Sequence, residues 1–353
     1  MKTILVSTSS LWNCGDDFIR RGLFDLMKLR PLVPTIWWNR AYGVAPTFAN
    51  DLRVNLPATD YILIAGTPEW VDRNEELYRY SLRHDVPISL VGVGLRGCIR
   101  LASQRRLLER VAESGLVEVC LARDRVALGF LRDCGFKDVG MTLDPAFFMQ
   151  PLSTERTHNI LCWRDIARRG PRPLGRPLPW LHWMSRGKRR SKRMALMYNR
   201  LMREVFSSMA EPKIVTVHDN REISIAEQLF GPERVFYSTD YRELLKVYST
   251  AMSYVGSRIH GAIAAAIHGA HCHLIYASMK AGVVQNSVEL LSRHVDGIGE
   301  SIKVSFLADG NVDAGSVGGV SFDHVALSVA LRKEGIRTRK RLMEAPELRK
   351  YMQ

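Results

Sequence analysis

Short apolar runs alternate with amphipathic stretches through the first 150 residues, the mark of a parallel sheet whose strands are joined by helices. The runs predict strands at Thr3–Ser7, Thr35–Trp38, Tyr61–Ala65, Ile88–Val93, Glu118–Ala122 and Val139–Thr142. Between them the spacing predicts helices at Asp17–Leu29, Pro68–His84, Ser103–Ser114 and Asp124–Cys134. Leu107, Leu108 and Val111 share one face of the third helix, and Gly135 stands where a C-terminal cap is expected after the fourth. A second series begins near His158, with strands expected at Asn159–Trp163, Lys213–Val217, Val235–Tyr237, Met252–Val255 and His273–Tyr276. Its helices are expected at Lys192–Met209, Glu222–Phe230, Tyr241–Ser249, Arg258–His268 and Val283–Leu291.

The stretch from Asp144 to Thr157 lacks strong periodicity and reads as a linker. It divides the chain into a Rossmann-like domain at 1–150 and a second at 151–321, followed by a helical tail at 322–353 that is expected to pack back across the first domain. The expected fold is therefore α/β: two doubly wound Rossmann-like domains in a GT-B-like arrangement, with the active site in the interdomain cleft. In open α/β sheets, ligands bind beyond the carboxyl ends of the strands, so the loops that follow strands are the places to seek chemistry.

Composition fits a soluble globular protein and removes several alternatives. The chain has 353 residues, 46% apolar and 24% charged, long enough for two cores. No apolar run approaches the roughly 20 residues that cross a bilayer. The first apolar stretch, Ile4 to Val6, is soon followed by Asn13, Asp16 and Asp17, which suits a buried strand better than a signal peptide. The six cysteines at 14, 98, 120, 134, 162 and 272 form no CxxC pair, so free thiols in a reducing, cytoplasmic setting are expected. No cofactor motif or metal-ligand cluster is visible, and neither is expected.

The net charge of +14 is concentrated in one place. Between Arg164 and Arg203 stand thirteen Lys/Arg against the single acid Asp165, about +12 in all. Within the basic insertion, 164–193, these clusters flank Pro179-Trp180-Leu181-His182-Trp183-Met184. Basic flanks around paired tryptophans suit an anionic membrane surface, and a solvated loop accounts for them equally well. No nucleic-acid-binding motif accompanies the charge, so nucleic acid is not expected as a partner.

Several strand ends carry candidate chemistry. Asn13-Cys14-Gly15-Asp16-Asp17 follows the first strand: Gly15 permits close approach, and Asp16 or Asp17 can cap the next helix. Gly66 and Gly94 end two further strands and serve either as turn residues or as the rim of a ligand site. Arg123 precedes the capping residue Asp124 and suits either an anion ligand or a structural ion pair. His218 and Asp219 end a strand of the second series. The densest group is Gly256-Ser257-Arg258-Ile259-His260-Gly261, in which Ser257 is expected to cap a small-residue helix. Arg258 and His260 then fall in its first turn, where the helix dipole favours an anion and sets a histidine for acid chemistry. Lys280, beyond the next strand, is expected beside them, as a third converging cation or as a solvated loop lysine.

Taken together, Asn13-Cys14-Gly15-Asp16, Arg123-Asp124, Asp144-Pro145-Ala146-Phe147 and Ser257-Arg258-Ile259-His260-Gly261 with Lys280 resemble the polysaccharide pyruvyl transferase family. The resemblance implies phosphoenolpyruvate as donor and a sugar diol, on a glycan or lipid-linked precursor, as acceptor, joined as a pyruvate ketal in cell-envelope or exopolysaccharide synthesis. It implies His260 as general acid and Arg123, Arg258 and Lys280 as donor-binding residues. The loop Ala65-Gly66-Thr67-Pro68-Glu69-Trp70 departs from the family's double-glycine turn, and Glu69 and Trp70 are expected to reshape the acceptor side. The basic insertion would set the enzyme at the cytoplasmic face of the membrane. Two rivals stand beside this reading: a GT-B glycosyltransferase using a nucleotide sugar, and a non-catalytic glycan- or membrane-associated protein on the same fold.

Overall fold

The computed structural model describes residues 3–8, 14–28, 35–38, 58–66, 70–71, 74–95, 102–166, 181–276, 287, 289–291, 293, 302–306 and 324–352. At 35–38, 102–103, 181–192, 276, 302–306 and 324 it describes the backbone alone. In chain order the first half contains β1 (Ile4–Ser7), α1 (Cys14–Met27), β2 (Thr35–Trp38), β3 (Tyr61–Ala65), α2 (Glu75–His84), β4 (Ile88–Val93), α3 (Ala102–Glu113), β5 (Val117–Ala122), α4 (Arg125–Asp133) and β6 (Gly140–Met141). A 3-10 turn at Pro145–Phe148 leads to β7 (His158–Cys162), α5 (Leu181–Ser208), β8 (Lys213–Thr216), α6 (Ile223–Phe230), β9 (Val235–Phe236), α7 (Tyr241–Ser249), β10 (Ala251–Gly256), α8 (Ile259–Ile267), β11 (His271–Tyr276) and β12 (Ile302–Phe306). The helices α9 (His324–Met343) and α10 (Pro346–Arg349) complete the order.

Both sheets are parallel and six-stranded, ordered β2-β1-β3-β4-β5-β6 and β12-β11-β10-β7-β8-β9. Strand order reverses between β1 and β3 in the first sheet and between β7 and β10 in the second. These are the switch points at which doubly wound sheets open a crevice. Fully buried runs such as Tyr-Ile-Leu-Ile-Ala in β3 form central strands because helices cover both faces and leave no polar side.

The halves share a core. Phe18, Ile19 and Leu23 of α1 belong to the same apolar cluster as Tyr248, Ile263 and Ala264 of the second half. The run Ala264-Ala265-Ala266 keeps α8 slim where it meets its neighbours. The C-terminal segment returns across the first sheet: Thr338 bonds Thr142 at 2.9 Å, Arg337 donates to the Met141 carbonyl, and Glu118 accepts from the amides of Glu347 and Leu348.

Five elements differ most from the sequence expectation, the first being α2, which starts at Glu75 instead of Pro68. The helix α1 starts at Cys14, which puts Asp16 and Asp17 inside its first turn instead of at the cap. The helix α5 starts at Leu181 instead of Lys192, because an arginine- and lysine-rich run favours helix without showing apolar periodicity. β12 was not expected at all. The Asp144–Thr157 segment is not a bare linker either: Asp144 caps Pro145–Phe148, and Pro145, Ala146 and Phe147 are buried against α1. Four residues are too few to display a period. Among the described residues, no helix is long and apolar enough to cross a membrane.

Candidate active site

Residues from both sheets meet at Asp144. Arg123 follows β5 directly and is 4% exposed; its Nη1 donates to the Gly66 carbonyl at 2.5 Å and pairs with Asp144 Oδ2. The same Oδ2 lies 3.3 Å from His260 Nε2, while Oδ1 accepts the Ala146 amide at 3.0 Å. A single fully buried carboxylate therefore caps a turn, neutralises an arginine of the first half and orients a histidine of the second. Burial alone would raise its pKa, but the charges of Arg123 and then His260, with the hydrogen bonds, bring it down to about 2.

The neighbouring strand ends build a seat for Arg123. Asp124 caps α4 through the Ala127 amide at 2.7 Å, and its second oxygen accepts from Leu95. Gly94 leaves room for the guanidinium, since a Cβ there would sit 2.5 Å from Arg123 Nε. Trp70 is fully buried, and its Nε1 donates to the Gly94 carbonyl at 2.8 Å. Trp70 is thus a structural tie between strand ends. Glu69 lies outside the described residues.

On the second sheet, Arg258 occupies the N-cap position of α8 in extended backbone, and His260 is the second helical residue. Ser257 was expected to be the cap; instead its Oγ accepts from Tyr198 at 3.0 Å. The Arg258 guanidinium is buried and paired with Glu222, whose other oxygen accepts the Asp165 amide at 3.2 Å. Burial works against the charge on Arg258, and Glu222 more than restores it, so its pKa ends above the usual arginine value. The Nε atoms of Arg123 and Arg258 are buried and have no hydrogen-bond partner among the described residues. Each is a charged donor with hydrogen-bonding capacity that the described residues leave unused.

His260 is held from two sides. Asp144 takes Nε2, and Nδ1 stands against Gly15 at the start of α1, where any Cβ would collide with the ring. Glycine at 15 is therefore required by close approach. His218, 2% exposed, lies behind this group with its Nε2 2.6 Å from the Tyr248 hydroxyl. Burial and then the charges of Arg258, His260 and Arg164 push its pKa well below 6.5, so it is neutral.

That depression has a pH consequence. Below about pH 6.5 the unfolded chain binds a proton that folded His218 refuses, so stability falls as pH falls, by at most about 1.4 kcal/mol per pH unit for one group. In His218→Gln the urea-unfolding free energy is expected to lose this part of its slope between pH 5 and 7. An unchanged slope would show that His218 is protonated in the fold.

Of the other sequence candidates, Asp16 is buried in the first turn of α1. Asp219 caps the 3-10 turn Asn220–Glu222 and pairs with Arg221. Asn13 and Lys280 lie outside the described residues. The sequence reading did not single out Asp144 and Glu222, the carboxylates that hold these groups. Asp144 carried a usable signal, an acid before proline at a turn start, whereas Glu222 sits in a polar run without one.

The sequence model of polysaccharide pyruvyl transferases matches residues 13–278. The chain belongs to the polysaccharide pyruvyl transferase family. Among curated proteins, none is similar enough to match. Solved structures share the fold of this pyruvyl transferase family member at low identity. MnaA of S. aureus with UDP has a TM-score of 0.51 at 12% identity, covering 100% of this chain and 93% of that one. The UDP-GlcNAc 2-epimerase of Methanocaldococcus jannaschii, with UDP-GlcNAc and UDP, has a TM-score of 0.51 at 12% identity, covering 96% and 99%. That of Neisseria meningitidis, bound to UDP-GlcNAc, has 0.50 at 9%, covering 98% and 100%. At these identities the likeness shows the fold alone, and that fold is GT-B-like. The family's matched span takes in Arg123, Asp144, Arg258 and His260.

Proposed function

We propose that this transferase moves pyruvate from phosphoenolpyruvate onto a sugar diol as a ketal, with His260 as general acid. The observation that carries the reading is the Arg123–Asp144–His260 junction, which joins an acid to an anion-binding arginine across the two halves. Arg123 and Arg258, with Lys280, hold the donor's carboxylate and phosphate, and their unpartnered Nε donors support this role. Gly15 and Gly94 leave the room that His260 and Arg123 occupy, the Gly66 carbonyl holds Arg123, and Ser257, His218 and Asp219 support the second-half side.

His260 gives its proton to the methylene carbon of phosphoenolpyruvate, and C2 becomes electrophilic. One sugar hydroxyl adds to C2 and loses its proton; phosphate departs; the second hydroxyl closes the ketal. Products are the ketal and inorganic phosphate, so atoms and charge balance without a redox partner. Burial of the site strengthens each electrostatic contact to the developing charges.

The acceptor is a sugar on a glycan or lipid-linked precursor, met at the cytoplasmic face of the membrane. The basic insertion supports peripheral docking there: its charge suits anionic headgroups. Removal of residues 168–190 is expected to abolish co-sedimentation with anionic vesicles, and unchanged sedimentation would end that part of the reading.

The donor is tested by phosphate release from phosphoenolpyruvate across a panel of lipid-linked and nucleotide-linked sugars. Phosphoenolpyruvate should also raise the melting temperature of the free enzyme. The second reading, a glycosyltransferase acting on a nucleotide sugar, is favoured by one observation, the UDP-bound proteins that share this fold. A shift with UDP and none with phosphoenolpyruvate would select it.

A further inference from the structure

The switch point of the second sheet lies between β7 and β10, and its edge carries a row of side chains that the parallel register fixes. Gly256 pairs with Cys162, and Cys162 pairs with Thr216. Each of these residues ends its strand. Two positions beyond each end stand Arg258, Arg164 and His218, so the three form one rank across the carboxyl edge. In sequence Arg164 looks like the first residue of the basic insertion; in the fold it is the central member of this rank.

Contacts tie Arg164 to the same machinery. The next residue, Asp165, gives its amide to Glu222, the carboxylate that also holds Arg258. Glu222 thus clamps the loops after β7 and β10 side by side across the crevice. Trp163, on the other side, is fully buried and anchored to Asn199 at 3.0 Å, which fixes the backbone from which Arg164 projects. Arg164 itself is half-buried. Its charge reaches both His218 and Tyr198, the residues that back Arg258 and Ser257.

We propose that Arg164 is a further anion-binding residue of the active site, contacting a phosphate or carboxylate of the bound substrate together with Arg258. The proposal rests on the donor reading above and adds a residue to it. A forked guanidinium at the switch point presents its donors with a defined geometry, as a lysine would not.

The test is isothermal titration of the full chain with phosphoenolpyruvate and, separately, with inorganic phosphate as a probe that does not depend on donor identity. Arg164→Gln is expected to weaken both by about tenfold or more, the loss expected for one charge-assisted contact. Arg164→Lys should recover only part, and Arg200→Gln, an exposed residue of α5, should change neither. Should Arg164→Gln fail to fold, Arg164→Lys decides: affinity equal to the parent for both anions overturns the proposal. Unchanged affinity in Arg164→Gln overturns it as well. Failure of the donor reading looks different, because the parent would then bind phosphoenolpyruvate no better than phosphate while the phosphate arm still judges Arg164.

Discussion

His260→Asn is expected to lower kcat for pyruvate transfer by about 10²–10⁴-fold, the usual worth of a positioned general acid. Asparagine can still meet Asp144, so the Arg123–Asp144 pair and the packing of α8 should survive. Phosphoenolpyruvate affinity, measured by titration, should therefore change much less than kcat. That split matters, because a residue that only bound donor would raise KM with kcat intact. Run in D2O, the parent should place one solvent-derived deuterium in the ketal methyl group, visible by NMR. Retention of kcat in His260→Asn would assign the proton to another group. Loss of kcat together with a lowered melting temperature would instead give His260 a structural part.

Much of the fold was legible because both sheets are buried on two faces. Tyr61–Ala65 and Ile88–Val93 read as strands from unbroken apolar runs, and their bounds agree with the structure residue for residue. The missed strand Ile302–Phe306 did carry an alternating signal, with Ile302, Val304 and Phe306 on one parity. Its shortness and the glycine-rich sequence after it hid the signal. The start of α5 was hidden for a different reason: charge repeats do not reveal helical phase as apolar repeats do.

The site was legible to the extent that it lies on strand ends. Arg123, Arg258 and His260 stood out as candidates because each follows a run that could only be a strand. Their partners did not. Arg258 and Glu222 are 36 positions apart in sequence, His260 and Asp144 116 apart, and pairing at such distance depends on which strands neighbour which. Arg164 was masked by its basic neighbours. Composition assigned it to a charged segment, and register assigns it to a rank with Arg258 and His218.

A common constraint accounts for the missed residues. A buried guanidinium without a counter-charge is too costly to keep, so a site built from buried arginines must contain buried carboxylates. Arg123 and Arg258 are each paired with one carboxylate, Asp144 and Glu222. The carboxylates hold the cations in place before substrate arrives, which lowers the ordering cost of binding. They also weaken the field that would draw an anion in.

Asp144→Asn should be the most damaging single change to stability. It keeps the shape of the side chain and removes the charge that Arg123 and His260 share, leaving Arg123 buried without a counter-ion. Breaking a buried pair from one side costs about 3–5 kcal/mol, because the remaining charge is neither solvated nor matched. The loss should appear as a lower urea midpoint at neutral pH. Acid titration supplies an independent check. The folded pKa of Asp144 is about 2 against 3.8 for the free carboxyl, so its contribution is complete above 3.8 and is lost as pH falls towards 2. The parent should therefore lose stability through that window, and the variant should lose less, having nothing there to protonate. Parent and variant with equal midpoints at pH 7 would mean that Arg123 finds another partner or water. In that case Asp144 would matter to the reaction only through its hold on His260, and Asp144→Asn should then lower kcat without lowering the melting temperature.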